Sequence, residues 1–341
     1  MRSFSKTIFL FVILLLLSFA VIPQARAQGL TTSNDSDLLL TVKMLPENPG
    51  PDTNIDISVE SYAGFDINAS LITWYVNGKI IKKGVGEKNA TVTSGPMGSK
   101  TVVNISVVPP NTLPFSRQII IQPSDVDVIW EANVYTPPFY EGHSLFTKES
   151  QIVVQAFPHL TTNSGKSEVP KEDLIYRWSV NDYFYADKSG YGKSSFTYIS
   201  SVFEKNEKIK VVVQTTDANQ RAEKIITINP VDPQILVYEN HPLYGILYNK
   251  EVGDLFSLKS QEVTLAAFPY FFSNENGLSS LDMNWSMNDM PIENLPIKNQ
   301  LVLRREGDKY GIANISLSIN NSKKIIQTNT KNFQINFEKN I

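Results

Sequence analysis

ITWYVNG at Ile72–Gly78 returns as IYRWSVND at Ile175–Asp182 and again as DMNWSMND at Asp282–Asp289. In each copy the apolar side chains alternate around the tryptophan. Ile72, Trp74 and Val76 share one face of a strand, as do Leu174, Tyr176, Trp178 and Val180, and then Leu281, Met283, Trp285 and Met287. Asn77-Gly78, Asn181-Asp182 and Asn288-Asp289 follow, residues that tolerate positive φ, so each strand is expected to turn back as a hairpin. The tryptophans lie 104 and 107 positions apart, a period that fits one β-sandwich per repeat.

Other strands recur in register with this one. IDISVESYAG, IVVQAFPHL and VTLAAFPYF precede it as alternating segments. TVVNISVV, IKVVVQTTD and ANISLSINN follow it, each leading through a turn to a closing strand. No comparable window keeps an apolar period of 3.6, so helix is expected only as single turns and the chain reads as all-β. Proline interrupts the pattern at QPSD, Gln122–Asp125, and at NPVDP, Asn229–Pro233. These connectors delimit three expected sandwiches, 38–122, 126–229 and 234–338, in an elongated array, with proteolytic nicking expected at the connectors.

A tryptophan two strands into a repeat and followed by a tight turn resembles the strand C tryptophan of immunoglobulin-like domains, and WYVNG is similar to the bacterial tandem forms found on cell surfaces. The resemblance covers residues 36–338. It implies three immunoglobulin-like β-sandwiches with Trp74, Trp178 and Trp285 as the central plug of each core. It departs from antibody-type domains in lacking a cysteine pair beside the tryptophan and a clear tyrosine corner. On this reading Trp178→Ala empties the second core and leaves the other two sandwiches folded.

The N-terminus carries Arg2 and Lys6, an uncharged apolar run from Thr7 to Ile22, and then PQARAQ with small residues at Ala25 and Ala27. This is the pattern of a secretory signal peptide over residues 1–27. The apolar run is shorter than the roughly 20 residues of a spanning helix, so a membrane association is expected only where this segment stays uncleaved. Residues 28–37 form a polar lead-in. Cleavage takes the formal charge from −3 to about −6 by removing Arg2, Lys6 and Arg26. Such a chain is unsuited to nucleic acid or to an anionic membrane. The expected location is exported: periplasm, cell surface or extracellular space.

Cysteine is absent, which excludes disulfides, a lipid-modified cysteine, thiolate catalysis and sulfur-ligated metals. His143, His159 and His241 are scattered without paired metal-ligand spacing, and His159 and His241 sit beside proline in expected loops. There is no nucleophile elbow, phosphate-binding loop or dinucleotide fingerprint. Carboxylates near the connectors, Asp125, Asp127 and Glu131 and then Asp232 and Glu239, match no calcium-loop spacing. The expectation is therefore no catalytic residue, no cofactor and no metal, in a protein that is not an enzyme.

Two segments carry an excess of large rings. NVYTPPFYEGHSLF at Asn133–Phe146 and ENHPLYGILYN at Glu239–Asn249 occupy matching places in the second and third repeats, where the first has only LPENPGPD. Tyr135, Phe139, Tyr140, Tyr244 and Tyr248 either pack against their own or an adjoining sandwich or present a surface to a partner. Two functions follow. One is a structural and interaction protein of the envelope or cell surface whose modules act as spacers and protein-docking surfaces. The other is an adhesin or carbohydrate-binding protein with a glycan site in the loops of the second and third sandwiches. Because the chain has no thiolate and no histidine pair to hold zinc, protein dialysed against a weak chelator should retain no stoichiometric zinc by elemental analysis.

Overall fold

The computed structural model of the protein describes residues 40–62, 64–138, 140–162, 165–307 and 309–338. The expected signal segment, the lead-in, the first two residues of the expected first sandwich and Phe139 lie outside them. The described chain is all-β, with helix only as single 3-10 turns, and its strands form three successive pairs of sheets.

In the first sandwich β1 (Thr41–Leu45), β2 (Asn54–Glu60) and β5 (Asn89–Thr93) make one sheet in the order β1-β2-β5. β3 (Leu71–Val76), β4 (Lys79–Val85), β6 (Thr101–Val108) and β7 (Phe115–Ile121) make the other, β4-β3-β6-β7. The second sandwich repeats the plan. β8 (Asp125–Ala132), β9 (Gln151–His159) and β13 (Ser195–Ile199) form β13-β9-β8. β10 (Ile175–Val180), β11 (Tyr183–Phe184), β14 (Glu207–Gln214) and β15 (Arg221–Ile228) form β11-β10-β14-β15, with β12 (Gly190–Tyr191) also on β10. This division, the first two strands and one later strand against the tryptophan strand and its neighbours, is that of an immunoglobulin-like sandwich.

The third sandwich adds strands to the plan. One sheet is β17-β16-β19-β22, from β16 (Gln234–His241), β17 (Gly245–Glu251), β19 (Glu262–Tyr270) and β22 (Gln300–Arg304). The other is β18-β24-β23-β20-β21, from β18 (Leu255–Leu258), β20 (Leu281–Met287), β21 (Met290–Ile292), β23 (Gly311–Asn321) and β24 (Thr328–Phe337). The segment Glu239–Asn249, expected as a connection between strands, is the β16–β17 hairpin, because Gly245 at φ 70° lets the chain reverse.

The recurring phrase does the same physical work each time. Trp74, Trp178 and Trp285 are buried to 1% exposure or less. A buried indole N–H needs an acceptor, and each Nε1 donates to a main-chain carbonyl across the core: Trp74 to Glu87 at 2.8 Å, Trp178 to Lys193 at 2.8 Å and Trp285 to Lys298 at 3.0 Å. The turn asparagines adopt φ of 48°, 48° and 47°. Each also pins the hairpin sideways, its side-chain carbonyl accepting the N–H of Val102, Lys208 or Asn314 at 2.8–2.9 Å. The same asparagines return their own N–H to the carbonyls of Val102, Lys208 and Asn314. A 3-10 turn precedes each tryptophan strand, at Ile67–Ala69, Lys171–Asp173 and Leu278–Ser280.

The chain divides into two compact units. Of the described residues, one holds 40–44, Ile57–Ala90 and Val102–Ile119; the other holds Leu45–Asp56, Thr91–Thr101 and the chain from Ile120 onward. Within the first, Ile57, Val59 and Ala90 of one sheet and Ile72, Trp74, Val103, Ile105 and Val107 of the other are buried.

The second and third sandwiches fall wholly inside the second unit. The core of the second sandwich, which contains Trp178, Phe196, Val211 and Val213, continues into Tyr238, Ala266, Phe268, Tyr270 and Phe271 of the third. Ile235, Val237, Leu265, Ala267 and Trp285 belong to the third sandwich's own core. The β16–β19 pair is thus covered on both faces. VTLAAFPYF was expected to alternate, but Leu265–Phe272 is buried throughout because a second sandwich covers its outward side.

The connectors are tied down. Pro123 and Ser124 are buried, with Ser124 Oγ donating to the Arg221 carbonyl at 2.7 Å and Gln122 Nε2 to Thr161 Oγ1 at 3.0 Å. Val231 N–H donates to the Phe146 carbonyl at 2.9 Å, and Asn329 Nδ2 donates to the Pro233 carbonyl. Nicking is governed by exposed, unbonded backbone, so the buried and bonded first connector is a poor site for a first cut, contrary to the sequence-based expectation, whereas Asn229 and Asp232 of the second are exposed.

The continuous core changes what loss of Trp178 should do. Trp178→Ala should cost about 3–5 kcal/mol by leaving a cavity, a large part of the roughly 5–15 kcal/mol that a domain possesses. Because Tyr238, Phe268 and Tyr270 pack on the same core, the third sandwich should be destabilised with the second. In calorimetry of the variant, both should melt earlier in a shared transition. A third sandwich that melts at its parent temperature would show the two to be energetically separate.

Candidate functional site

The segment after β8 runs antiparallel to the chain leaving β19. Tyr135 N–H donates to the Phe272 carbonyl at 2.7 Å, Phe271 N–H to the Tyr135 carbonyl at 2.8 Å, and Asn274 N–H to the Asn133 carbonyl at 3.0 Å. These three bonds bring the aromatic side chains of the two sandwiches together. Tyr140 meets Tyr270 and Phe271 edge-on, each with ring centroids 5.9 Å apart. Tyr248, on β17, packs against Tyr238 at 5.5 Å and Phe268 at 5.4 Å. Tyr135 packs on the same core.

Polar groups close the rest of this junction. Glu149, buried and held at φ 67°, accepts the N–H groups of Ile325 and Ile326 at 2.8 and 2.9 Å. Gln327 is fully buried; its Nε2 donates to the Lys148 carbonyl at 2.8 Å, and its Oε1 accepts Ser273 N–H at 3.0 Å. Both amide ends are therefore satisfied, as burial requires. Burial pushes the phenols of Tyr135, Tyr248 and Tyr270 up. Tyr270 is raised further by its hydrogen bond with Tyr238, whose Oη lies 3.3 Å away.

Of the five aromatic residues singled out from sequence, Tyr135, Tyr140 and Tyr248 are partly buried in this junction, while Phe139 is outside the described residues. Tyr244 differs. It sits at the tip of the β16–β17 hairpin, 76% exposed beside Leu243 at 81%. His241 stacks on the Tyr244 ring at 4.7 Å and accepts the Leu243 N–H at its Nδ1 at 3.1 Å, which holds the tip in shape.

Sequence reasoning passed over Trp130, the fourth tryptophan. It lies on β8 in the inward phase yet is only partly buried, with the exposed His143 ring 4.3 Å away. Trp130 and His143 line a groove of about 640 Å³ together with Ile129, Glu131, Val153 and Gln155. Its position in IWEANVY, just before the aromatic insertion, was the available signal. His159 and His241, expected in loops, end β9 and β16. His159 lies between two carboxylates, 3.3 Å from Glu168 and from Asp127. Among the described residues there is no cluster of three or more His, Asp or Glu side chains able to hold a metal ion, and no helix long and apolar enough to cross a membrane.

No protein-family model matches the chain, and no curated protein matches it in sequence. Among solved structures it is similar to the fibronectin(III)-like modules of CbhA from Clostridium thermocellum, at 11% identity over 56% of this chain and 94% of that one, with a TM-score of 0.27. It is also similar to three N-terminal domains of the highly immunogenic outer capsid protein of bacteriophage RB49, at 9% identity over 89% and 99% of the two chains, TM-score 0.26. Extracellular domains 3–5 of Drosophila OTK match at 10% identity over 84% and 92%, TM-score 0.21. The sandwich assignment rests on the strand pairing described above and draws nothing from these scores.

The His159 site carries a pH signature. The hydrogen bond to Glu168 raises its pKa, partial burial opposes this, and Asp127 adds to the rise. The folded value is above the unfolded one of about 6.5, so the contribution is fully present below that pH and is lost as pH rises through the folded value. The groups are exposed, so the effect is small. His159→Asn should lower the melting temperature most near pH 5.5 and progressively less toward about pH 8. An equal loss at both pH values in thermal melts would remove the ion pairs from the account.

Proposed function

We propose that the protein is a non-catalytic exported interaction protein of the cell envelope or cell surface, in which immunoglobulin-like sandwiches serve as spacers and present a protein-docking surface. The observation that carries this reading is the contrast inside the aromatic insertions. Tyr135, Tyr140 and Tyr248 are used up in joining the second sandwich to the third. Tyr244 and Leu243 are left out on a braced hairpin tip.

A large exposed ring held in place by a neighbour loses little conformational entropy on binding, and tyrosine is enriched at interaction hot spots. The junction supplies the other half of the role. Continuous apolar packing, a β-bridge and the buried Glu149 and Gln327 bonds make two sandwiches one block that holds the tip at a defined place. Among the described members of the candidate partner surface, the reading favours the exposed Tyr244, with Leu243 beside it.

Tyr244→Ala should weaken binding to an envelope fraction of the producing cell by about 1–2 kcal/mol with little change in melting temperature. Tyr140→Ala should do the reverse, lowering the melting temperature while the folded protein binds normally. The proposal fails if Tyr244→Ala binds as the parent does, and a glycan array that retains the protein through Tyr244 would replace the protein partner with a sugar.

A further inference from the structure

The sheet β13-β9-β8 turns one face to the core of the second sandwich and the other to solvent. On the outward face Ile129 is 59% exposed, Phe157 45%, Val153 38% and Ile199 59%. The strand register makes these four contiguous. Asp127 faces Phe157, Ile129 faces Gln155 and Glu131 faces Val153 across β8 and β9, while Thr197 faces Val153 and Ile199 faces Gln151 across β9 and β13. Ile129 is thus the diagonal neighbour of both Phe157 and Val153, and Val153 of Ile199, within the reach of long side chains on one face of a sheet. An apolar diagonal crosses all three strands, and the Trp130 groove opens beside its middle.

The carboxylates of the three strands outnumber their basic groups. β8, β9 and β13 carry Asp125, Asp127 and Glu131, one histidine, and no lysine or arginine. The lining of the groove likewise includes Glu131 and no lysine or arginine. The opposite sheet is the contrast: β10, β14 and β15 carry Arg177, Lys208, Lys210, Arg221 and Lys224 against only Glu207 and Glu223. Exposed sheets commonly guard themselves with lysine. This face has apolar side chains with an acidic margin instead, an arrangement that repels acidic partners and attracts basic ones.

We propose that the outward face of β13-β9-β8 docks a polypeptide segment of two or three apolar side chains flanked by lysine or arginine. The apolar side chains lie along the Phe157–Ile129–Val153–Ile199 diagonal, with one of them entering the groove against Trp130. The flanking cations reach Asp127 and Glu131, their methylene stems covering the edges of the apolar patch. This surface does not depend on Tyr244, so either proposal stands or falls alone.

Trp130 supplies the readout, because Trp74, Trp178 and Trp285 are sealed in the cores. The probe is a blocked heptapeptide, Lys-Lys-Leu-Phe-Leu-Lys-Lys, titrated into the purified protein while tryptophan emission is followed. A saturable change in emission is expected, weakening as salt rises from about 0.05 to 0.5 M. Ile129→Lys and Glu131→Lys, each at an exposed position, should each weaken binding by about tenfold or more. Ile225→Lys, on the opposite sheet, should leave binding within about twofold of the parent. Circular dichroism and melting of each variant confirm that it is folded. The proposal is overturned if either of the first two variants binds as the parent does, if a glutamate-flanked peptide with the same apolar centre binds equally well, or if a neutral glucan oligosaccharide changes the emission and the peptide does not.

Discussion

Each sandwich is organised by one constraint: an indole too large to leave exposed brings a polar N–H into a dry core, and that N–H must find an acceptor. The carbonyls of Glu87, Lys193 and Lys298 meet it in the same way each time. Each of these carbonyls belongs to the chain that follows the hairpin, so the bond fixes where that chain crosses the core. The asparagine three residues after each tryptophan secures the other side, taking positive φ for the turn and bonding the neighbouring strand in both directions. One short phrase therefore specifies a strand, a turn, one attachment across the core and one to the neighbouring strand of the same sheet.

The junction between the second and third sandwiches is built on a different principle. A sheet of an immunoglobulin-like sandwich normally buries one face, but β16 and β19 bury both. The added burial is aromatic and is accompanied by backbone pairing at Val134 and Ser273 and by the carboxylate of Glu149. Apolar area supplies most of the attraction, at roughly 25 cal/mol per Å². The buried polar groups fix the geometry, since an unpaired one would cost about 1–3 kcal/mol.

The candidate site was legible in part. Composition showed that Tyr135, Tyr140, Tyr244 and Tyr248 exceed what an ordinary loop can expose. It could not assign each ring to packing or to solvent, because that depends on which sheet face another sandwich covers. Trp130 escaped notice because it stands outside the repeated phrase. The apolar diagonal of Ile129, Val153, Phe157 and Ile199 was equally hidden, since its members are scattered over three strands and only the register brings them together.

The sequence by itself determined the number of sandwiches, the strand that plugs each core and the turns that follow. These rest on period-two alternation and on residues with particular backbone freedom, which are local properties. Tertiary structure alone decided that the second and third sandwiches share a core, that the connectors are hydrogen-bonded to the sandwiches, and that Tyr244 stays in solvent while Tyr140 does not. Those outcomes depend on contacts between residues far apart in the chain, more than a hundred positions at the shared core, such as Glu149 with Ile325 and Tyr135 with Phe272. Alternation along a strand marks which side is apolar, but what covers that side is a property of the assembled chain.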